Sequence, residues 1–306
     1  MANLTTKLGP LSLKNPVMTA SGTFGYGSEY EDFFPVSELG ALVVKGIAPW
    51  PSYGNPTPRI AEVTAGMLNA IGLQGPGVDA FLHDSHYLPH LKNVDTPIIV
   101  NIWGKTAEDY SYVAERLQEE SHSLAAIEIN VSCPNVKEGG IAFGTNPTAM
   151  SKIVSAVRAK TTIPLITKLS PNVSHIVDFA MAAADSGSDM VSLINTIPAM
   201  AIDIETRKPK LANITGGLSG PAIKPVAVKL VYEIARNVKI PIIGMGGIMS
   251  GADAIEFFLA GANAIAVGTA NFTDPRASIR IIDEINDYLD SHHIQTIQEI
   301  IGQVII

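Results

Sequence analysis

The chain has 306 residues, of which 46% are apolar and 16% charged, with one cysteine and a formal net charge of −8; its pI is near 5.4 and its mean hydropathy +0.24. Such a chain can bury a large core and is expected to be ordered. Its acidity argues against nucleic acid or an anionic membrane as partner, and a lone thiol excludes a disulfide framework and suits a reducing cytoplasm. The first residues, Met1 to Lys7, lack the basic-then-apolar shape of a signal peptide. No run reaches the roughly 18 apolar residues of a membrane span.

Residues 17–20 read as a first strand and 41–45 as a second. A long Gly/Pro-rich insertion follows over 48–76, better suited to a lid than to a linker. Proline introduces each of the apolar runs 97–101, 164–168 and 241–246, and similar runs cover 127–130, 190–195 and 264–268. Continuous apolar runs suit strands buried on both faces of a parallel sheet. A second insertion spans 197–220.

Helices fall between the strands. Thr106 and Asp109 form a capping box ahead of Tyr110, Val113, Ala114 and Leu117 on one face. Asn146 caps a helix with Pro147 in its first position, followed by Met150, Ile153, Val154 and Val157. Ile223, Val226, Ala227, Leu230 and Ile234 form another stripe. Ser250 and Asp253 open a helix that stops at Gly261. Eight strands, most followed by a helix, predict an α/β fold: a closed (β/α)8 TIM barrel with lid insertions after strands at the C-terminal face. An open doubly wound sheet is the alternative. No domain boundary is visible, so residues 1–306 are expected to form one domain.

In a parallel barrel the strand ends share one face. They carry Lys45, Asn101, Asn130, Lys168 and Asn195, then Gly246-Gly247 and Gly268-Thr269, with no carboxylate among them. Any strand must end in something polar, but this set predicts an electropositive site for an anionic heterocycle. The glycines let backbone N–H groups approach a phosphate, unless they serve only tight turns. Cys133 follows the strand ending at Asn130, where α/β enzymes do their chemistry. A lone cysteine is often just a small hydrophobe; here the flanking asparagines and glycines favour a base or nucleophile. A free thiol with pKa about 8.5 would need a depressed pKa or an outlet for its proton, and a loop at Gly139-Gly140 could close over the site.

With these residues in place the chain resembles the dihydroorotate dehydrogenases over its whole length. The resemblance is carried by residues 15–22, Asn69-Ala70-Ile71-Gly72-Leu73, Asn130-Val131-Ser132-Cys133-Pro134-Asn135, residues 216–221 with Lys224-Pro225, and Gly246-Gly247. It is closest to class 1, which uses cysteine as base where class 2 uses serine. The stretch 137–144 is similar to the class 1B catalytic subunit more than to the fumarate-dependent class 1A. The resemblance implies a single FMN-binding barrel domain that oxidises (S)-dihydroorotate to orotate in pyrimidine (UMP) biosynthesis. Cys133 would take the C5 proton while hydride leaves C6 for FMN. FMN would be held by Ser21, Lys45, Gly46, Asn101, Asn130, Lys168, Ile194, Gly220, Gly246, Gly247, Gly268 and Thr269, with Lys168 against the N1/O2 edge. Substrate would be held by Lys45, Asn69, Ala70, Ile71, Gly72, Leu73, Asn130, Asn195 and Thr196, with Asn135 as a further contact. Gly75 departs from the asparagine frequent in the family and bears on lid shape.

A single thiol cannot ligate an iron–sulfur cluster, and no Gly-x-Gly-x-x-Gly opens a helix after a strand. If NAD is the final acceptor, FAD and a [2Fe-2S] cluster must sit on a second polypeptide. The resemblance therefore implies a homodimer of this chain with two electron-transfer subunits, a cytoplasmic heterotetramer. Rival readings are a class 1A-type enzyme, another flavin-dependent dihydropyrimidine or dihydrouridine reductase, a colourless barrel lyase or synthase for a phosphorylated metabolite, and a non-catalytic flavin-binding subunit. No metal is expected: His83, His86 and His90 have helical spacing, but Pro89 interrupts them and no carboxylate partner is evident. The acidic stretch 283–290 reads as a solvated face.

Overall fold

The computed structural model describes residues 2–132 and 144–306. Cys133, Asn135, Lys137 and the glycines at 139 and 140 lie outside the described residues.

The chain opens with an antiparallel hairpin, β1 (Thr6–Leu8) and β2 (Leu11–Leu13), then enters a parallel sheet through β3 (Val17–Thr19) and β4 (Leu42–Ile47). β5 (Ile60–Val63) and β6 (Gly66–Asn69) leave it as an insertion. β7 (Ile98–Ile102), β8 (Ala126–Asn130), β9 (Leu165–Lys168) and β10 (Met190–Leu193) resume it. A second insertion carries β11 (Ile197–Ala199), β12 (Ile202–Asp203), β13 (Lys208–Pro209) and β14 (Gly216–Ser219), before β15 (Ile242–Met245) and β16 (Ala264–Val267) complete the sheet. Its order is β3-β16-β15-β10-β9-β8-β7-β4, all parallel. A bridge between Met18 and Ala41 brings its two edges together. There the Thr19 hydroxyl oxygen accepts from the Val43 N–H at 2.9 Å. The fold is a (β/α)8 barrel, with the open sheet set aside.

Every residue of β7, β8, β9, β10, β15 and β16 is buried, as strands packed on both faces require. The introductory prolines have a specific use. Pro16, Pro97, Pro164 and Pro241 cannot donate to a ladder, but each carbonyl accepts from a neighbouring strand, at 2.8 to 3.0 Å. A proline placed one residue before its strand therefore costs the sheet no hydrogen bond. Inside the barrel, Met18, Val43, Ile99, Ile166, Met190 and Ile243 pack with Leu8 and Leu13, so the β1–β2 hairpin plugs the amino-terminal end.

The predicted caps are present. Thr106 with Asp109 and Ser250 with Asp253 form reciprocal boxes, and the Asn146 side chain accepts from the Ala149 N–H. Gly261 ends its helix at φ 117°, where a β-carbon would be strained. The stripe from Ile223 needs correction: the helix is Lys224–Asn237, Val226 is exposed, and Val231 takes the inward place. The acidic final helix, Ala277–Ser291, is not only a solvated face, because Glu284 accepts from the Gly251 N–H and pairs with Arg280. His86 and His90 do have carboxylate partners, Asp84 at 2.8 Å and Glu31 at 2.7 Å. Among the described residues no group of three or more His, Cys, Asp or Glu is placed to hold a metal ion.

The two insertions are one structure. β5 and β6 pair with β14 and β11 in a four-stranded antiparallel sheet, ordered β11-β14-β6-β5, around buried Leu68, Ala70 and Leu211. This sheet roofs the carboxyl end of the barrel.

Candidate active site

A cavity of about 380 Å³ lies between barrel mouth and lid. Strand β4 delivers Lys45 and Gly46, β7 Asn101, β8 Asn130 and β9 Lys168, while Ile194, Asn195 and Thr196 follow β10. Gly246-Gly247 and Gly268-Thr269 follow the last two strands, Ser21 follows β3, and the lid adds Asn69, Ile71, Gly72, Leu73 and Gly220. Of the site residues named from sequence, Ala70 is not brought to the cavity. It is fully buried in the lid, its N–H donating to the Arg59 carbonyl and its carbonyl accepting from Asn55. Cys133 and Asn135 lie outside the described residues.

The side chains form two connected networks. Asn195 Nδ2 donates to Ser132 Oγ at 2.9 Å and its Oδ1 accepts from the Thr196 N–H at 2.7 Å. The Asn130 carbonyl accepts from the Tyr110 hydroxyl at 2.8 Å, which fixes the end of β8 against the helix Ala107–Gln118. Ser132, the residue before Cys133, is buried. In the second network Lys168 Nζ donates to Ser21 Oγ at 3.1 Å and stands 3.9 Å from Glu128 Oε2. Asn101 Nδ2 donates to that same oxygen at 2.6 Å, and Ser192 Oγ to Oε1 at 2.7 Å.

Burial, and then the nearby Arg59 guanidinium, lower the pKa of Lys45 from its ordinary value, against the pull of Glu29. Burial likewise pushes the Tyr26 phenol well above its ordinary range; its hydroxyl is buried and has no hydrogen-bond partner among the described residues. On the glycine side, the N–H groups of Gly247, Gly268 and Thr269 donate to no backbone carbonyl among the described residues. Gly247 sits at φ 77°, and a β-carbon there would stand 2.8 Å from the Gly220 carbonyl oxygen and 2.9 Å from the Lys224 nitrogen. That close approach of two backbones leaves no room for a side chain at this turn, and Gly247, Gly268 and Thr269 all line the cavity.

The strand ends carry no carboxylate and, among the described residues, none lines the cavity, but Glu128 lies directly beneath them. Its signal was parity: two residues before Asn130 on a strand, it shares Asn130's face. Arg59, Gln74 and Phe272 also line the cavity and were missed. Arg59 Nη1 donates to Gln74 Oε1 at 2.9 Å, and both lie on insertion segments whose path sequence periodicity does not reveal.

Glycine turns, two lysines and a ring of amides at one barrel mouth define a (β/α)8 protein suited to an anionic, phosphorylated ligand. The chain belongs to the dihydroorotate dehydrogenase family, whose profile matches residues 3–289. It is 55% identical over 300 residues to a protein of Citrifermentans bemidjiense named dihydroorotate dehydrogenase B (NAD(+)), catalytic subunit, covering 98% of this chain and 97% of that one. A protein of the same name from Alkaliphilus oremlandii is 55% identical over 302 residues, covering 99% of each chain. The crystal structure of DHODH from Eimeria tenella in complex with ferulenol has the same fold, with TM-score 0.81 at 24% identity over 98% of this chain and 88% of that one.

Proposed function

We propose that this chain is the FMN-containing catalytic subunit of an NAD-linked dihydroorotate dehydrogenase, oxidising (S)-dihydroorotate to orotate in pyrimidine synthesis. The observation that carries the reading is one cavity joining Lys45, Asn69, Asn130 and Asn195 to the glycine turns at 246–247 and 268–269. The full-length identity to subunits named for NAD(+) favours this class over the fumarate-dependent one.

The residues fit FMN. The N–H groups of Gly247, Gly268 and Thr269, which meet no backbone carbonyl among the described residues, match a phosphate, and the approach of Gly247 to Gly220 excludes a side chain from that cradle. Bound FMN would supply the acceptor for the hydride that leaves C6. Lys168, anchored by Ser21, would set a cation beside the negative charge that the flavin carries when reduced. Lys45 meets the substrate carboxylate, with the 72–73 amides, Asn69, Asn195 and Thr196 completing the binding set. Asn130 and Asn195 hold Ser132, and Cys133, next in the chain, takes the C5 proton. The lid sheet excludes water from the reacting atoms.

A partner subunit carrying FAD and an iron–sulfur cluster would receive the electrons, in a cytoplasmic assembly built on a dimer of this chain. Among the described residues no helix is long and apolar enough to cross a membrane. The test is an absorption spectrum of the purified chain under nitrogen. A flavin spectrum that bleaches on adding dihydroorotate is expected; a colourless protein, or a flavin that dihydroorotate leaves oxidised, would reject the proposal.

A further inference from the structure

Glu128 is an acid set deep in a barrel whose mouth is built for anions. It lies on β8 two residues before Asn130, faces the interior, and is 2% exposed. A buried carboxylate is costly unless its oxygens are matched. Here they are matched from three other strands: Ser192 of β10 donates to Oε1, Asn101 of β7 donates to Oε2, and Lys168 of β9 stands near Oε2. Two of these partners, Asn101 and Lys168, line the cavity, and Glu128 does not.

We infer that Glu128 is a positioning residue that sets the behaviour of the bound flavin through Asn101 and Lys168. The inference rests on the reading that FMN occupies this cavity. A carboxylate can only accept, so it fixes the Asn101 amide with nitrogen inward and oxygen outward. That oxygen lies beside Gly46, where an added β-carbon would meet it at 3.0 Å. Gly46 and Asn101 both line the cavity, so this acceptor is held at its wall. The same carboxylate partly neutralises the Lys168 ammonium in a buried setting, where charges act more strongly than in water. Lys168 alone would pull the flavin strongly towards its negatively charged reduced state, and Glu128 restrains that pull. Electrons must leave again for the next acceptor, and a site that held them too tightly would stall.

The FMN-loaded chain is titrated spectroelectrochemically as wild type, Glu128→Gln, Lys168→Met and the double variant, with melting curves alongside. Glu128→Gln is expected to favour the reduced over the oxidised flavin at least tenfold more than wild type does, a rise of about 30 mV in two-electron midpoint potential. In the Lys168→Met background that rise is expected to shrink to less than half, because the lysine route is then closed and only the Asn101 route is left. A purely structural Glu128 would lower the melting temperature and leave the potential unmoved. An unmoved potential in folded, flavin-loaded Glu128→Gln, or a full-sized rise in the double variant, overturns the inference alone. A wild-type chain that binds no FMN overturns the cofactor reading and this inference with it. Should Glu128→Gln not fold, Ser192→Ala removes only the Oε1 donor, strengthens the carboxylate's hold on Lys168, and is expected to lower the potential; no change there overturns the inference.

Discussion

Cys133→Ala tests the assignment of the base. Flavin should stay bound and coloured, while its reduction by dihydroorotate at neutral pH slows by on the order of 10²- to 10⁴-fold, the usual worth of a general base. Stopped-flow absorbance reads this directly, and a near wild-type rate would remove Cys133 from the proton path. Lys45 gives a pH test. Burial and Arg59 disfavour its charged form, placing its pKa below the ordinary 10.5 in the free protein. An anionic substrate carboxylate favours the charged form, so binding takes up a proton wherever free Lys45 has lost one. Orotate affinity should therefore hold at neutral pH and fall as pH rises through the lowered pKa. Lys45→Met should bind orotate weakly with a flatter alkaline limb in a flavin-absorbance titration. At this scale the sequence was readable where a polar residue ends an apolar run, which is how Lys45, Asn101, Asn130 and Lys168 stand out. Glu128 was not, because one acid inside such a run looks like an interruption until strand parity turns it towards Asn130. Ala70 shows the converse: it sits inside the 69–73 segment, but alternation along the lid turns it into the Leu68–Leu211 core, away from the cavity.

Elements carry the second kind of test. Asp253 caps its helix through the Met249 and Ser250 N–H groups and pairs with Lys224 at 2.6 Å. Partial burial works against its charged form, but these contacts outweigh that and hold its pKa below the ordinary 3.8. Its contribution is therefore fully present above that value and is lost as pH falls through the depressed one. Asp253→Ala should cost about 1–2 kcal/mol in urea unfolding at neutral pH and make the acid limb of stability less steep. Gly247→Ala is a separate test of the glycine cradle. Its β-carbon would press on the Gly220 carbonyl and the Lys224 nitrogen, so FMN affinity measured by fluorescence quenching should drop more than tenfold. The barrel strands were legible to within about two residues because prolines and polar ends bracket them. The lid strands were not, since β5 and β14 have no clean alternation and find partners only across the two insertions.

For the whole molecule the expectation concerns electron flow. The isolated chain should reduce its own flavin with dihydroorotate yet reduce NAD⁺ slowly, and adding an FAD- and cluster-bearing partner should raise that rate by well over tenfold. Absorbance of NADH reads the result; brisk NAD⁺ reduction by the chain alone would contradict the division of labour. The eightfold architecture could be read from repeated strand–helix units. The roof over its mouth could be located as insertions but not drawn.

That roof has a consequence for how the chain is made. Leu68 pairs with Leu218 across nearly half the polypeptide, so the canopy cannot be stitched together until residue 219 is available. Nascent or clipped fragments ending earlier would leave the vestibule bare, and competence to shelter a ligand should arrive late in maturation, in a single step.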